Sequence, residues 1–206
     1  MQETRTPAQE AAEDLFFGHV VIIWARWFVI LAGTILILWS ATTTAEISFR
    51  ILFVVALMAI NFFLHGRYLM ERPANRALLT VVSLIDVAIV TGIVWTWQGQ
   101  GGIASPFFVF YYPVLLAFGL VFPPAVAAAY TVVALVAYVL AAFLADPSFV
   151  TDVGQLKALL LRLITLASVG GLATFYWRIQ RGRRRAAYGG LSRSQEFQPR
   201  LSPGKP

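Results

Sequence analysis

Apolar stretches long enough to cross a lipid bilayer constrain this chain more than any other feature of its sequence. Each has about 17–25 residues, the length that a membrane-spanning helix needs. The hydrocarbon core offers no water to backbone groups, so only helices or closed barrels can cross it. Barrel strands alternate polar and apolar residues, and these stretches do not. The sequence therefore predicts an all-α, polytopic transmembrane bundle of about six helices. We place the spans at residues 20–40, 47–64, 77–97, 106–122, 124–144 and 156–177.

The composition agrees with a protein whose main partner is the lipid bilayer. Hydrophobic residues make up 59% of the chain and charged residues 13%, against about 25% charged in a typical soluble domain. The absence of cysteine excludes disulfides and thiolate metal sites. The net charge of +6 is concentrated beside spans, so we expect no nucleic-acid binding.

The basic residues predict how the chain is oriented. Residues 1–18 form an N-terminal segment, 19–178 the membrane domain, and 179–206 a basic tail that we expect to be disordered. With six spans, both termini lie on one side. That side collects Arg67, Arg72, Arg76, Arg178, Arg181, Arg183, Arg184 and Arg185, against Arg50 and Lys157 opposite. Both termini are therefore predicted to be cytoplasmic, in the inner membrane.

Asp86 is the sharpest single signal among the candidate functional residues. It lies about eight residues into the third span, about 12 Å from the inner surface. An ionisable residue at this depth costs at least ~2.5 kcal/mol and faces a partner or a polar cavity. Two interpretations stay open: a structural hydrogen bond, or a role in ligand binding or proton coupling.

Two intramembrane arginines are candidate partners of Asp86. Arg162 lies in the outer part of the sixth span and Arg26 in the inner half of the first. Either side chain is long enough to reach its own membrane surface instead. We hypothesise a contact between Asp86 and Arg162, direct or through water.

The glycine-rich connection between the third and fourth spans is the second signal. Ser105 and Pro106 are typical of an N-cap and a first helical residue. The amides that begin a helix attract an acceptor, and glycines allow a close approach. The sequence gives two readings: a plain hairpin turn with an aromatic belt, or a site for a flat lipophilic ligand. The candidate ligand-binding residues are Trp97, Gly101, Gly102, Ser105, Pro106, Phe107 and Tyr111.

Small residues in the last two spans predict close helix packing. They are Ala125, Ala128, Ala129, Ala167, Gly170 and Gly171. The sequence shows no metal-ligand cluster, no nucleophile–base pair and no phosphate-binding loop. No catalytic residue is predicted.

The six-span layout, Asp86 in the third span and the segment GGIASPF resemble the membrane sensor domains of bacterial histidine kinases. The resemblance is to the redox-responding RegB/PrrB family and to PilS-like sensors. In the RegB motif, glycine-glycine-x-x-asparagine-proline-phenylalanine, Gly101, Gly102, Pro106 and Phe107 match, and Ser105 replaces the asparagine. The resemblance implies a quinone ligand, a homodimer and signalling through a two-component system.

The kinase core of that family has no counterpart in these residues. No histidine follows His65, and there is no glycine-rich nucleotide lid. We expect kinase activity only if the chain belongs to a longer protein. Otherwise we expect its partner to be a cytoplasmic kinase or another membrane subunit.

The leading hypothesis is thus a membrane sensor module that binds a quinone or another lipophilic ligand at the outer end of spans three and four. One alternative is a small transporter or channel-like protein that uses Asp86 and Arg162. Another is a structural subunit of a membrane complex.

Overall fold

The computed structural model describes residues 7–40, 44–70, 75–96 and 102–196, and every regular element in these ranges is helical. Six α-helices follow one another: α1 (Pro7–Ser40), α2 (Thr44–Leu69), α3 (Arg76–Thr96), α4 (Tyr111–Val121), α5 (Pro124–Ala145) and α6 (Val153–Glu196). Three 3₁₀ turns, Gly102–Ala104, Pro106–Phe110 and Pro147–Thr151, lie between them. The predicted all-α bundle of about six helices is confirmed.

Five segments are long and apolar enough to cross a membrane: Gly18–Trp39, Arg50–Leu69, Arg76–Thr96, Pro124–Ala145 and Val153–Ile179. The chain is thus a multi-pass membrane protein by the length and composition of its helices. At the fourth predicted span, residues 106–122, the structure has the shorter apolar helix Pro106–Val121. Its five-residue 3₁₀ turn and eleven-residue α-helix together reach about 26 Å, since a 3₁₀ turn rises more per residue.

Contacts at both ends of α4 show that this short helix nevertheless runs the depth of the bundle. Gly18 of α1 faces Val121, whereas Gly33 faces Phe110, so α1 and α4 are antiparallel. We call the end with Gly18 and Val121 the basic end, because α6 leaves the bundle there with Arg178. We call the opposite end, with Gly102 and Ser105, the turn end.

The same comparison gives the directions of α5 and α6. Tyr130 stacks on Phe118, and Tyr138 lies edge-on to Tyr111, so α5 is antiparallel to α4. At the turn end Arg162 contacts Ser105, and at the basic end Gly119 faces Ala173, so α6 is parallel to α4. α4 packs against α1, α3, α5 and α6 and is the central helix of the bundle.

α6 extends well beyond the membrane-spanning length. Its 44 residues correspond to about 66 Å of helix, roughly twice the hydrocarbon thickness. In place of the disordered tail predicted from residue 179, the helix continues to Glu196, and residues 197–206 lie outside the described ranges. Arginine and alanine favour helix, and a helix already formed in the span needs no new nucleus. Likewise α1 begins at Pro7, inside the segment assigned to the N-terminus.

Only some of the small residues that were predicted to mediate close helix packing do so. Gly170 is buried against the Thr131 side chain, and a Cβ on Gly119 would lie 2.5 Å from that of Ala173. The other predicted packing positions face outward: Ala125, Ala128, Ala129, Ala167 and Gly171 are exposed. The two neighbouring glycines of α6 therefore differ sharply in their surroundings.

We expect Gly170→Ala to destabilise the bundle and Gly171→Ala to leave it unchanged or slightly more stable. A Cβ at Gly170 would lie 2.8 Å from Thr131 Cγ2, while nothing lies within 4 Å of a Cβ at Gly171. Overpacking costs about 1–3 kcal/mol, whereas alanine is the better helix former by ~1 kcal/mol. Thermal unfolding of both variants in nanodiscs checks this; equal shifts would contradict the assigned packing of α5 on α6.

Asp152 caps the start of α6. Its Oδ1 accepts hydrogen bonds from the backbone N–H groups of Gly154 (2.7 Å) and Gln155 (3.3 Å). These bonds stabilise the carboxylate and hold the pKa of Asp152 below its usual value.

Folding lowers the pKa of Asp152. The stability that the cap gives to the folded chain is therefore fully present above the pKa that Asp152 has in the unfolded chain, and it is lost as the pH falls through the pKa of the folded state. We expect the protection factor of the Gly154 amide, which compares its exchange rate with that of an unstructured peptide at the same pH, to fall on acidification below about pH 4. Asp152→Asn is the matched control, since asparagine caps helices without titrating. The same fall in the protection factor of the asparagine variant would show that the carboxylate is not responsible.

Candidate functional site

Two groups of polar side chains lie inside the bundle, one in each half. The Asp86 cluster, in the half nearer the basic end, consists of Arg26, Ser83, Asp86 and Tyr130. The Arg162 cluster, at the turn end, consists of Ser105, Phe108, Tyr138 and Arg162.

Asp86 pairs with Arg26, so the hypothesised contact with Arg162 is wrong. Arg26 Nη2 lies 2.9 Å from Asp86 Oδ1, and both side chains are almost fully buried, 4% and 6% exposed. α1 and α3 bring the two residues to the same depth, whereas Arg162 is held at the turn end by other partners. The ion pair keeps two opposite charges together where neither reaches water.

The guanidinium of Arg26 has more donors than this pair uses. The 2.9 Å contact lacks hydrogen-bond geometry, and Nε, Nη1 and Nη2 have no hydrogen-bond acceptor among the described residues. A guanidinium carries five N–H donors, and each buried polar group without a partner costs about 1–3 kcal/mol. Arg26 is therefore held in place with unused hydrogen-bonding capacity.

A cavity adjoins this pair where α1, α3 and α4 meet, with α2 contributing Leu57. It is lined by ten residues, all apolar except Arg26, Ser83 and Asp86. The space free for the centre of a water molecule is about 10 Å³, which is the lower limit for holding one water. The N–H donors of Arg26 that lack an acceptor thus belong to a residue that lines a cavity with room for about one water molecule.

Sequence reasoning missed Tyr130, which closes the Asp86 cluster from α5. Its hydroxyl donates to the backbone carbonyl of Ser83, at 2.7 Å, one turn before Asp86. Its ring stacks on Phe118 with the centroids 3.8 Å apart. A tyrosine in a predicted span resembles any other aromatic residue, so only its position across from Ser83 shows the role.

Asn61 is a second residue that sequence reasoning missed. It is fully buried in α2, and neither its side-chain nitrogen nor its oxygen has a hydrogen-bond partner among the described residues. It lies one helical turn from Leu57, in the helix that packs on α1 and α3. The sequence does contain the signal that could have identified Asn61, because its side-chain amide is the one polar group in an apolar stretch of the second span.

At the turn end, Arg162 ties α6 to the segment before α4 and to α5. Its Nη1 donates to the backbone carbonyl of Ser105 (3.2 Å) and to the Tyr138 hydroxyl (3.0 Å). Its guanidinium carbon lies 4.1 Å from the centroid of the Phe108 ring, a cation–π arrangement. One half-buried side chain therefore joins three elements.

The predicted cap at the start of the fourth span is present. The Ser105 hydroxyl accepts from the Phe107 N–H, and Pro106 occupies the first turn, which is a 3₁₀ turn. Gly102 has φ +62 and lies against Ala142, so any side chain there would be strained and crowded. The serine cap and the proline of the first turn, as read from the sequence, are confirmed.

The candidate ligand residues differ in their accessibility. Gly102, Ser105, Phe107 and Tyr111 are buried, and Pro106 is exposed; Trp97 and Gly101 lie outside the described residues. The Tyr111 hydroxyl is bonded to Thr91 Oγ1 at 2.6 Å, which links α4 to α3. The exposed edge of this region consists of Ala104, Pro106 and Val109, beside the half-buried Phe108.

No group of three or more His, Cys, Asp or Glu residues suited to a metal ion occurs in the part of the chain that the structure describes. No protein-family model, curated protein or solved structure matches the chain. The likeness to RegB/PrrB-type sensors therefore stays a prediction from the sequence motif.

We expect single substitutions in the buried ion pair to be far more harmful than their combination. Arg26→Met leaves Asp86 without a counter-charge, and Asp86→Leu does the same to Arg26. Each should lower the stability by about 3–5 kcal/mol, whereas the charge-free double variant should regain most of the loss.

Unfolding of the four proteins in a mild detergent, analysed as a double-mutant cycle, measures the coupling. Losses that simply add in the double variant would contradict a direct Arg26–Asp86 interaction.

Proposed function

We propose that this chain is an integral membrane signal-transduction module whose input lies at the turn end of α3 and α4 and whose output is α6. The observation that carries the proposal is that α6 contacts the turn end and continues as one helix to Glu196. About 25 Å of this helix follows the membrane-spanning part, which ends at Ile179. A continuous helix transmits a displacement at one end to the other.

Arg162 is the residue through which we propose that input and output are coupled. It contacts the backbone that precedes α4 through Ser105 and belongs itself to α6. A flat lipophilic ligand with a carbonyl oxygen, such as a quinone, would compete with the Ser105 carbonyl for the Arg162 N–H and would pack on the Phe108 ring. Such a ligand shifts α6 only through a different affinity for the two helix positions.

The sequence supports the same proposal from two further directions. The GGIASPF segment resembles the quinone-associated motif of RegB/PrrB sensors, and the basic residues near Arg178 favour cytoplasmic termini in the inner membrane. The output helix would then act on a cytoplasmic kinase or on a kinase core in a longer protein, in a homodimer as the resemblance implies.

The transporter alternative rests on Asp86 and Arg162 sharing one polar path. Asp86 instead pairs with Arg26 in one half of the bundle. Arg162 contacts Ser105 and Tyr138 in the other half. The signalling proposal therefore accounts for more of the arrangement than a transport path does.

Distance measurements between spin labels on α5 and α6 test the proposal. The chain has no cysteine, so labels attach only at the introduced Ala125→Cys and Gly182→Cys, both exposed positions. In nanodiscs we expect a saturable change in the distance distribution on addition of decylubiquinone. Arg162→Gln should weaken the response about tenfold or more, because a charge-assisted hydrogen bond is lost.

Lys157→Gln is the matched control, since Lys157 is an exposed charge on the same helix near the same end. It should respond as the wild type does. A distance distribution that quinone does not alter, or an Arg162→Gln response equal to that of the wild type, would refute the proposal.

A further inference from the structure

The cavity beside Arg26 and Asp86 lies in the other half of the bundle from the proposed input. None of its lining residues is a member of the Arg162 cluster. Nine of its ten lining residues are buried, and the tenth, Ala25, is half-buried, so the cavity lies inside the bundle. What occupies it is a question separate from the signalling proposal.

Hydrogen-bond donors and an acceptor at this cavity both lack a partner among the described residues. Arg26 is 3% exposed, and its Nε, Nη1 and Nη2 have no acceptor. Asp86 is 4% exposed, and its Oδ1 has no donor, since the 2.9 Å contact with Arg26 Nη2 lacks hydrogen-bond geometry. An occupant that satisfies the site must therefore both accept and donate hydrogen bonds.

The charge of the site excludes ions. Arg26 and Asp86 neutralise each other, so an added ion would leave a net charge among buried apolar side chains. A halide ion also has no hydrogen to donate to Asp86, and a metal cation cannot accept a hydrogen bond from Arg26. The occupant is therefore neutral.

The size of the cavity limits the occupant to one small molecule. The space free for the centre of a water molecule is about 10 Å³, roughly that of a single water position. Seven of the lining residues are apolar, and Ser83 is the one polar residue besides the ion pair. Water is the neutral molecule of this size that accepts and donates hydrogen bonds, and a buried water needs about two to four polar partners.

We infer that the cavity is a binding site for a single water molecule, which accepts a hydrogen bond from the Arg26 guanidinium and donates one to Asp86 Oδ1. Because Nη2 and Oδ1 are 2.9 Å apart, one oxygen atom can lie within hydrogen-bond distance of both. Arg26 and Asp86 thus attract each other directly by charge and are hydrogen-bonded through the water.

The water site joins two helices that have different main partners. α1 packs mainly on α2 and α4, whereas α3 packs mainly on α5. Arg26 belongs to α1 and Asp86 to α3, so a water held by both adds hydrogen bonds between these helices. The bound water is therefore part of the packing of the bundle interior.

Proton-detected solid-state NMR of the valine-labelled protein in liposomes tests the inference. Methyl hydrogens do not exchange with water, so a cross-peak between water and a valine methyl group reports a nearby water molecule. In the wild type we expect such cross-peaks for Val90 and Val114, which line the cavity. Val94 is the internal control: it is fully buried one helical turn from Val90, does not line the cavity, and should show none.

The charge-free double variant Arg26→Met/Asp86→Leu should lose both cross-peaks, because a cavity lined by apolar groups stays dry. Ser83 is retained in this variant, so a cross-peak relayed by its hydroxyl would persist. Arg178→Met is the matched control, since it removes an exposed arginine at the basic end and should keep both cross-peaks.

A second measurement uses the wild type alone and does not depend on the folding of any variant. In crystals grown in a lipid mesophase and soaked in bromide, we expect one isolated density peak beside the ion pair. It should lie about 2.6–3.2 Å from Asp86 Oδ1 and from a guanidinium nitrogen of Arg26. Since a water molecule does not exchange for bromide, the peak should have no anomalous signal.

Three results would overturn the inference. One is a wild type without the cross-peaks of Val90 and Val114 or without the density peak. Another is a double variant that keeps both cross-peaks. The third is an anomalous bromide signal at the peak, which would make the occupant a halide ion. The spin-label experiment on α6 does not depend on any of these outcomes.

Discussion

The lack of water around a membrane-spanning backbone is the constraint on which this structure depends. It compels each crossing segment to form a complete helix and leaves side-chain packing and buried polar contacts to join the helices. The close packing occurs at the glycines of α4 and α6. The buried polar contacts are those of Arg26 with Asp86 and of Arg162 with Ser105. Charged side chains are rare in the spans, and the Arg26–Asp86 pair and Arg162 fix how particular helices meet.

The elements of the fold could be predicted because they follow from local sequence. Apolar length predicts the spans, and the serine–proline pair at Ser105 predicts the cap that the structure has. The limits of α6 could not be predicted in this way. Its polar continuation past Ile179 reads as disorder from composition, although a helix that has already begun in the membrane extends at little cost.

Which residues meet across the bundle could not be predicted, because contact depends on the rotation and depth of each helix. The depth of Asp86 in its span was compatible with either Arg26 or Arg162 as its partner. The predicted contact with Arg162 was wrong, and Asp86 pairs with Arg26. The small residues show the same limit: Gly170 packs on α5, while Gly171, one position and 100° further around the helix, does not. Tyr130 gains its importance only from its position across from Ser83.

The central position of α4 has a consequence for biogenesis. Two of its four packing partners, α5 and α6, are synthesised after it. While the ribosome is still completing those helices, the face of α4 that carries Gly119 and Phe118 has only lipid or the translocation machinery beside it. The interior of the bundle is therefore assembled last, and the arrival of α6 both closes the core and brings Arg162 to the turn that precedes α4.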